Sequence, residues 1–149
     1  MPSIDPKLRI RRARPQDASR IAELSAQLGY PVKVGEIIAR LKLVLKERRA
    51  ACFVAETEEH EVVGWVHVSV TPLLEVPCRA EVNGLVVDEK VRSRGAGWCL
   101  LEAAEKWARK MHCAGMSVRS NVIRDRAHAF YLCHGYEHYK TQKAFRKVL

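Results

Sequence analysis

One stretch of the chain, Val82 to Met111, constrains the fold most, because a strand, a basic glycine turn and a long helix follow one another there. Its first part, Val82–Val87, is apolar and rich in β-branched residues, as strands are. A strongly charged segment, Asp88–Arg94, then interrupts the apolar run. Gly95 and Gly97 follow, and apolar residues recur from there at the spacing of an amphipathic helix. The pattern predicts a strand–turn–helix unit.

The predicted turn has the chemistry of an anion site. The first turn of a helix presents unpaired backbone N–H groups and the positive end of the helix dipole. Gly95 and Gly97 place no side chain between those groups and a ligand, and Arg92 and Arg94 add positive charge. We therefore expect a phosphate cradle built mainly from backbone. The alternative, an ordinary strand-to-helix loop on a basic surface, stays open at this point.

The two best-known phosphate loops are excluded by the sequence. The chain contains no G-x-x-x-x-G-K-[ST] string, so the turn is not a P-loop. A dinucleotide fingerprint requires G-x-G-x-x-G, and Leu100 stands where the third glycine is required.

The turn and a second string downstream together resemble one family. Arg92–Gly97 (RSRGAG) matches the pattern Q/R-x-x-G-x-G/A, and Ala127–Tyr136 (AHAFYLCHGY) matches A-x-x-x-Y-x-x-x-G-F/Y. In this order and at this separation they are similar to the signatures of the GNAT superfamily of acetyl-CoA-dependent N-acetyltransferases. The resemblance covers nearly the whole chain and implies a single N-acetyltransferase domain over residues 1–149.

The fold that the resemblance implies is α/β (mixed α+β). It is a central twisted mixed sheet of six to seven strands with about four helices, in which the bulged fourth strand splays away from the fifth. The predicted strands are Leu8–Arg14, Ala51–Glu56, Val62–Val70, Cys78–Val87 and Met116–Asn121, with one or two more in Tyr136–Leu149. Helices are predicted after Asp17, after Pro31, from Gly95 with Gly115 as a stop, and from Arg126 to about His134. Gly84, inside the fourth strand, indicates the bulge.

Acetyl transfer to nitrogen needs a base, because an alkyl amine has a pKa of about 10.4 and arrives protonated. The resemblance points to Glu81, beside the predicted bulge, acting directly or through water. The alternative is a strand carboxylate paired with Arg79 or with an arginine from elsewhere. Glu56 and Glu75 are weaker candidates for the base.

The resemblance also implies partners for the thioester. A backbone N–H near Val86 or Val87, left unpaired by the bulge, would polarise the carbonyl. Tyr131 would act as general acid and protonate the departing thiolate. The alternative for Tyr131 is an aromatic packing role like that of Phe130 beside it.

The residues assigned to acetyl-CoA lie in three groups: the fourth strand, the glycine turn and the segment before the last helix. They are Val86, Val87, Arg92, Arg94, Gly95, Ala96, Gly97, Trp98, Asn121 and Arg124. Arg124 departs from the pattern of the family, in which asparagine is common seven positions before the tyrosine. It would reach a cofactor phosphate or point into solvent.

The net charge of +9 admits three kinds of partner: nucleic acid, an acidic surface or a polyanionic cofactor. The basic residues are spread along the chain, and no nucleic-acid-binding signature is visible. Coenzyme A, with its three phosphate groups, accounts for part of the charge, so a basic nucleic-acid-binding protein ranks last. A non-catalytic acyl-CoA-binding sensor or partner module ranks second. The acceptor-side segments hold many basic residues, which disfavours a highly cationic acceptor.

The five cysteines are scattered and form no C-x-x-C pair, so we expect them to be small apolar fillers in a reducing compartment. None suggests a covalent acetyl-enzyme, which favours direct transfer in a ternary complex. Cys and His residues show no metal-ligand spacing, so no metal is expected. No apolar run reaches membrane length and no signal segment is seen, so we expect a cytoplasmic enzyme without a membrane partner. The sequence does not decide between a monomer and a homodimer.

Overall fold

The chain folds into two compact units, Met1–Arg119 and Ser120–Leu149. The computed structural model describes residues 5, 7–92 and 94–149. Ser93, which belongs to the predicted phosphate turn, lies outside the described residues. The first unit holds the sheet and three helices, and the second holds the last helix and the C-terminal segment.

A five-stranded sheet forms the centre of the first unit. Its strands follow the chain in the order β1 (Arg9–Arg12), β2 (Ala50–Glu56), β3 (Val62–Val70), β4 (Arg79–Val87) and β5 (Gly115–Val118). The first four pair antiparallel, and β5 pairs parallel with β4. The mixed sheet is therefore confirmed, and the predicted strand bounds differ from the observed ones by at most three residues.

The described residues form four α-helices: α1 (Ala18–Gln27), α2 (Val34–Lys46), α3 (Ala96–Lys110) and α4 (Asp125–Cys133). Asp17 stands at the N-cap position of α1, but its side chain makes no capping bond to this helix; its carboxylate instead accepts the Arg14 N–H at 2.8 Å. Among the described residues, no helix combines the length and the apolarity that a membrane crossing requires.

The two faces of the sheet are covered by different helices. Residues of α1 and α2 form one apolar cluster with side chains from three strands. That cluster contains Ile21, Leu24, Leu41, Cys52, Val54 and Val86. On α3, the buried positions Leu100, Leu101 and Ala104 recur at helical spacing and face the opposite side of the sheet. This layering leaves the C-terminal ends of β4 and β5 to form the site.

The prediction of six to seven strands is wrong for the described residues, which form five. No strand forms in Tyr136–Leu149. In this segment polar and basic residues outnumber apolar ones, and its large apolar side chains are exposed, including Phe145 and Val148. A strand needs a partner edge or a face to bury, and the pattern here supplies too little apolar surface for either.

The predicted helix stop at Gly115 is also wrong. The helix α3 ends at Lys110, and His112 takes the left-handed conformation at φ 58° two residues later. Histidine adopts that conformation less readily than glycine, so sequence alone did not identify it as the turn residue. Gly115 is instead the first residue of β5.

A buried ionic cluster joins β1, β2 and the start of α1. The Arg11 guanidinium donates two hydrogen bonds of 2.8 Å to the Asp17 carboxylate and a further one from Nε to Glu56. Glu56 also lies 2.7 Å from His60 Nδ1. Hydrogen bonds from His60 and Arg11 lower the pKa of Glu56 from 4.5 to about 2. The cluster pins the first strand to the second.

Folding stability should fall steeply in acid because of this cluster. Since the pKa of Glu56 is lower in the folded chain, its contribution is complete above 4.5 and is lost as pH falls through about 2. We expect Glu56→Gln to lower the melting temperature at pH 7 and to flatten its dependence on pH between about 4.5 and 2. Thermal unfolding across that range tests this, with Glu59→Gln in the exposed turn as the control. An acid dependence that Glu56→Gln leaves unchanged would contradict it.

Candidate functional site

A bulge interrupts β4 where the sequence predicted it. Gly84 pairs with His67 of β3 and Val82 pairs with Val68, so Asn83 is an extra residue on β4. The Trp65 ring lies directly on Gly84, and a Cβ at that position would come within 2.6 Å of Trp65 Cη2. Only glycine fits beneath the ring, which is the physical reason for glycine inside this strand.

The pairing of β4 with β5 ends just before the bulge. Within the described residues, β5 pairs with β4 only from Arg79 to Val82, whereas β4 continues to Val87. The pairing thus stops where β5 itself ends, at Val118, and the splay implied by the family resemblance stays a prediction. Backbone groups on that edge of β4 have no strand beside them and can hydrogen-bond an extended ligand.

The register shows which backbone groups face the open edge. The Asp88 N–H donates to the Val63 oxygen at 2.8 Å, so this pair exchanges hydrogen bonds across the β3–β4 ladder. Orientation alternates along a strand, so Val86 also directs its N–H and oxygen to β3. Leu85 and Val87 direct theirs to the open edge. Of the two residues named from the sequence, Val87 presents its N–H there and Val86 does not.

The helix α3 begins directly after the glycine turn with a bare start, meaning that no side chain caps its first N–H groups, as expected. Gly95 takes the left-handed conformation at φ 82°, and α3 begins at Ala96. No side chain caps the helix and its first turn has no acidic residue. The first bond inside the helix runs from the Cys99 N–H to the Gly95 oxygen at 3.0 Å, so Ala96 and Gly97 have no helical acceptor. Trp98 is the third residue of this helix and is half-buried.

The two arginines of the turn have different surroundings. Arg92 Nε lies 3.4 Å from the Val87 oxygen, and its Nη2 lies 3.8 Å from Glu89. This side chain therefore contacts the open end of β4. Arg94 is exposed, so its guanidinium extends into solvent beside the helix start.

A second ionic cluster, which the sequence did not suggest, anchors the start of the turn to α1. Asp88 is buried and accepts hydrogen bonds from Arg20 and from the Lys90 N–H. Gln27 of α1 lies 3.4 Å from Asp88 and accepts the Glu89 N–H at 3.0 Å. The Lys90 N–H first, and the Arg20 guanidinium as well, hold the pKa of Asp88 below its ordinary value. The sequence did contain one indication of this cluster, because Asp88 is an acidic residue directly after an apolar strand.

Glu81 lies on β4 before the bulge, opposite Ser69 of β3 and Ser117 of β5. Arg119 Nε lies 2.7 Å from its Oε1, so Glu81 does pair with an arginine from elsewhere in the chain. The Arg119 side chain is 80% exposed, and an exposed ion pair is worth about 1 kcal/mol or less. Arg119 can therefore release Glu81 at small cost.

The other candidate bases have surroundings that suit them less. Glu56 is buried in its ionic cluster with Arg11 and His60. Glu75 lies in the exposed loop before β4. His67 of β3, a further group that could take a proton, is half-buried opposite Gly84, and burial lowers its pKa, which favours the neutral ring.

The second unit carries the remaining predicted site residues. Asn121 Oδ1 accepts the Ile123 N–H at 3.1 Å in a local turn. Arg124 is exposed at the N-cap position of α4. Tyr131 packs edge-on against Tyr136, with ring centres 5.6 Å apart, and burial raises its pKa while Arg124 opposes that shift. The phenol is therefore protonated at neutral pH.

Among residues 5, 7–92 and 94–149, no group of three His, Cys, Asp or Glu residues could hold an ion.

Comparison with a family model and with a characterised protein identifies acetyltransferases in both cases. The model of the acetyltransferase (GNAT) family matches residues 17–136. An aminoglycoside N(6')-acetyltransferase type 1 of Klebsiella aerogenes is 28% identical over 105 residues, covering 68% of this chain and 69% of that protein.

Solved structures share the fold at lower identity. Aminoglycoside N-acetyltransferase AAC(6')-Iy in complex with CoA superposes with a TM-score of 0.84 at 18% identity, covering 94% of both chains. A transcriptional regulator from Bacillus halodurans gives a TM-score of 0.80 at 24% identity, covering 93% of this chain and 99% of that one.

Removing the charge of Asp88 should loosen the turn. In Asp88→Asn the side chain keeps its size but loses the ion pair with Arg20, at a cost of about 1–3 kcal/mol in the free energy of unfolding. We also expect the Kd for acetyl-CoA to rise several-fold, because Asp88 fixes where the turn begins. Urea unfolding and calorimetry measure the two effects.

The control for Asp88→Asn is Glu102→Gln, which removes a carboxylate from the partly exposed pair with Lys106 on α3. It should change both quantities little. Equal effects of the two substitutions would show that Asp88 does not position the turn.

Proposed function

Since the chain belongs to the GNAT acetyltransferase family and is an acetyl-CoA-dependent N-acetyltransferase, we propose that it passes the acetyl group directly to a primary amine of a small molecule or peptide within a ternary complex. One observation supports this most. The open edge of β4 leads, through a turn fixed by Asp88, to the bare start of α3. An extended arm ending in a diphosphate matches that arrangement. We place the reaction in the cytoplasm.

In this proposal the backbone binds the cosubstrate. The N–H groups of Gly95, Ala96, Gly97 and Trp98 donate hydrogen bonds to the diphosphate oxygens at the positive end of the α3 dipole. Arg94 adds charge from solvent, and Arg92 holds the turn against Val87. Val87, nearer to the turn, pairs with the pantetheine arm along the open edge.

The chemical step needs a polarised carbonyl and a neutral amine. The Leu85 N–H, the open-edge group beside Val86 and nearer to Glu81 than Val87 is, donates to the thioester oxygen and stabilises the charge that develops on it. Glu81, released from Arg119, takes the amine proton directly or through water. The nitrogen then forms a bond to the carbonyl carbon.

The collapse of the intermediate breaks the carbon–sulfur bond. Tyr131 donates its phenolic proton to the departing thiolate and regains one from solvent. Its protonated state at neutral pH suits a general acid. Asn121 and Arg124 are proposed to contact the cosubstrate from the segment before α4, with Arg124 directed to a phosphate.

Two classes of amine are candidates for the acetyl acceptor. The K. aerogenes relative acts on aminoglycosides, which makes an aminoglycoside amine one candidate. The acceptor-side segments of this chain, 30–49 and 71–77, carry more basic than acidic residues. That charge favours the other candidate, a less cationic amine such as a peptide N-terminus.

An amine panel separates the enzyme from its rivals. Purified protein with acetyl-CoA should release coenzyme A thiol in the presence of at least one amine among aminoglycosides, amino acids and peptides. Tyr131→Phe should lower kcat by about 10²-fold or more with little change in Kd for acetyl-CoA. Tight acetyl-CoA binding without turnover on any amine would support a sensor module instead. Salt-dependent DNA binding without acetyl-CoA binding would support a nucleic-acid-binding protein.

Glu81→Gln tests the proposed base. It should lower kcat/KM for the amine by about 10²-fold or more while leaving Kd for acetyl-CoA unchanged. Glu75→Gln, in the exposed loop before β4, is the matched control and should behave as the wild type. An unchanged kcat/KM in Glu81→Gln would leave Glu81 with only its ion pair to Arg119.

A further inference from the structure

Two cysteine thiols lie next to each other at the start of β4. Cys78 Sγ is 3.6 Å from Cys113 Sγ, although the residues are 35 positions apart in the chain. Cys78 is exposed and Cys113 is half-buried. The expectation that the cysteines are apolar fillers is therefore wrong for Cys78, and also for Cys133, which is exposed on α4.

Backbone pairing holds the two thiols close. The Ala114 N–H donates to the Cys78 oxygen at 2.8 Å, and the parallel register begins with Arg79 opposite Gly115. The Cys113 N–H donates to the Ala108 oxygen at 3.0 Å. The sulfur atoms meet because β4 and β5 pair there. A disulfide has its sulfur atoms about 2.05 Å apart, so these two sulfur atoms must approach each other by about 1.5 Å to bond.

The surroundings favour sulfur–sulfur chemistry over metal binding. Within the part of the chain that the structure describes, no third His, Cys, Asp or Glu residue completes a ligand set with these two thiols. Burial first, and the contact with Cys78 second, raise the pKa of Cys113 to about 11. The exposed Cys78 is therefore the first thiol to react.

We propose that Cys78 and Cys113 are a redox-active pair that closes to a disulfide by exchange with a low-molecular-weight disulfide. The Cys78 thiolate attacks one sulfur of the reagent, forming a mixed disulfide and releasing one thiol. The Cys113 thiolate then attacks Cys78 Sγ and releases the second thiol. Two protein thiols are oxidised and one reagent disulfide is reduced to two thiols, so electrons and protons balance.

A bond between Cys78 and Cys113 would enclose the strand, turn and helix that form the proposed site. The segment between the two cysteines contains β4, the glycine turn and α3, which is the whole strand–turn–helix unit. The bond would join the start of β4 to the residues after α3, at the end of β4 away from the turn. It therefore closes this unit covalently without occupying the open edge, and its formation does not depend on acetyl transfer.

Oxidised glutathione tests the proposal on the full chain. After incubation, alkylation and digestion, mass spectrometry should find a peptide linking Cys78 to Cys113, with Cys52 and Cys99 still alkylated. The melting temperature should rise by roughly 5–10 °C, because the bond restricts the unfolded chain, and should return on adding dithiothreitol.

Two variants make the test specific. Cys113→Ala should stop at a glutathione adduct on Cys78, whereas Cys133→Ser should form the 78–113 link as the wild type does. A wild-type protein that retains glutathione on Cys78 without forming the link would overturn the proposal. So would an oxidised protein that melts at the same temperature as the reduced one.

Discussion

The site depends on the change of partners along β4. The strand pairs with β3 from Ala80 to Val87, but with β5 only from Arg79 to Val82. The pairing with β5 ends directly before the extra residue at Asn83 and the Trp65 ring seated on Gly84. A strand with one satisfied and one open edge is costly in a folded protein unless a ligand or another segment pairs with it. Here the open edge leads directly into the glycine turn.

Two ionic clusters hold the elements around β4 and the glycine turn in place. The cluster of Arg11, Asp17 and Glu56 ties the first strand to the second and to the start of α1. The cluster of Arg20, Gln27 and Asp88 ties α1 to the last residue before the turn. Because α1 belongs to both, the start of the turn is fixed relative to the sheet. The bare helix start of α3 is thereby held in place without a capping side chain.

Much of this could be predicted from the sequence, because the decisive residues have strong local preferences. Gly84 marked the bulge and Gly95 marked the helix start, since each occupies a position where a side chain would clash or strain the backbone. Three features could not be predicted from the sequence, for physical reasons. His112 ends α3 in a conformation that glycine usually takes, and the pairing of Cys78 with Cys113 arises from strand register between residues far apart. Whether Val86 or Val87 faces the open edge depends on hydrogen-bond alternation, which composition does not encode.

The central claim is that the start of α3 and the open edge of β4 bind one ligand, with backbone groups as the main contacts. A crystal structure of the protein with coenzyme A bound tests this most directly. The account predicts diphosphate oxygens about 3 Å from the N–H groups of Ala96 and Gly97, a pantetheine amide paired with Val87 and the thioester oxygen next to the Leu85 N–H. A diphosphate bound by surface lysines or arginines away from the turn, with the edge of β4 left unpaired, would contradict it.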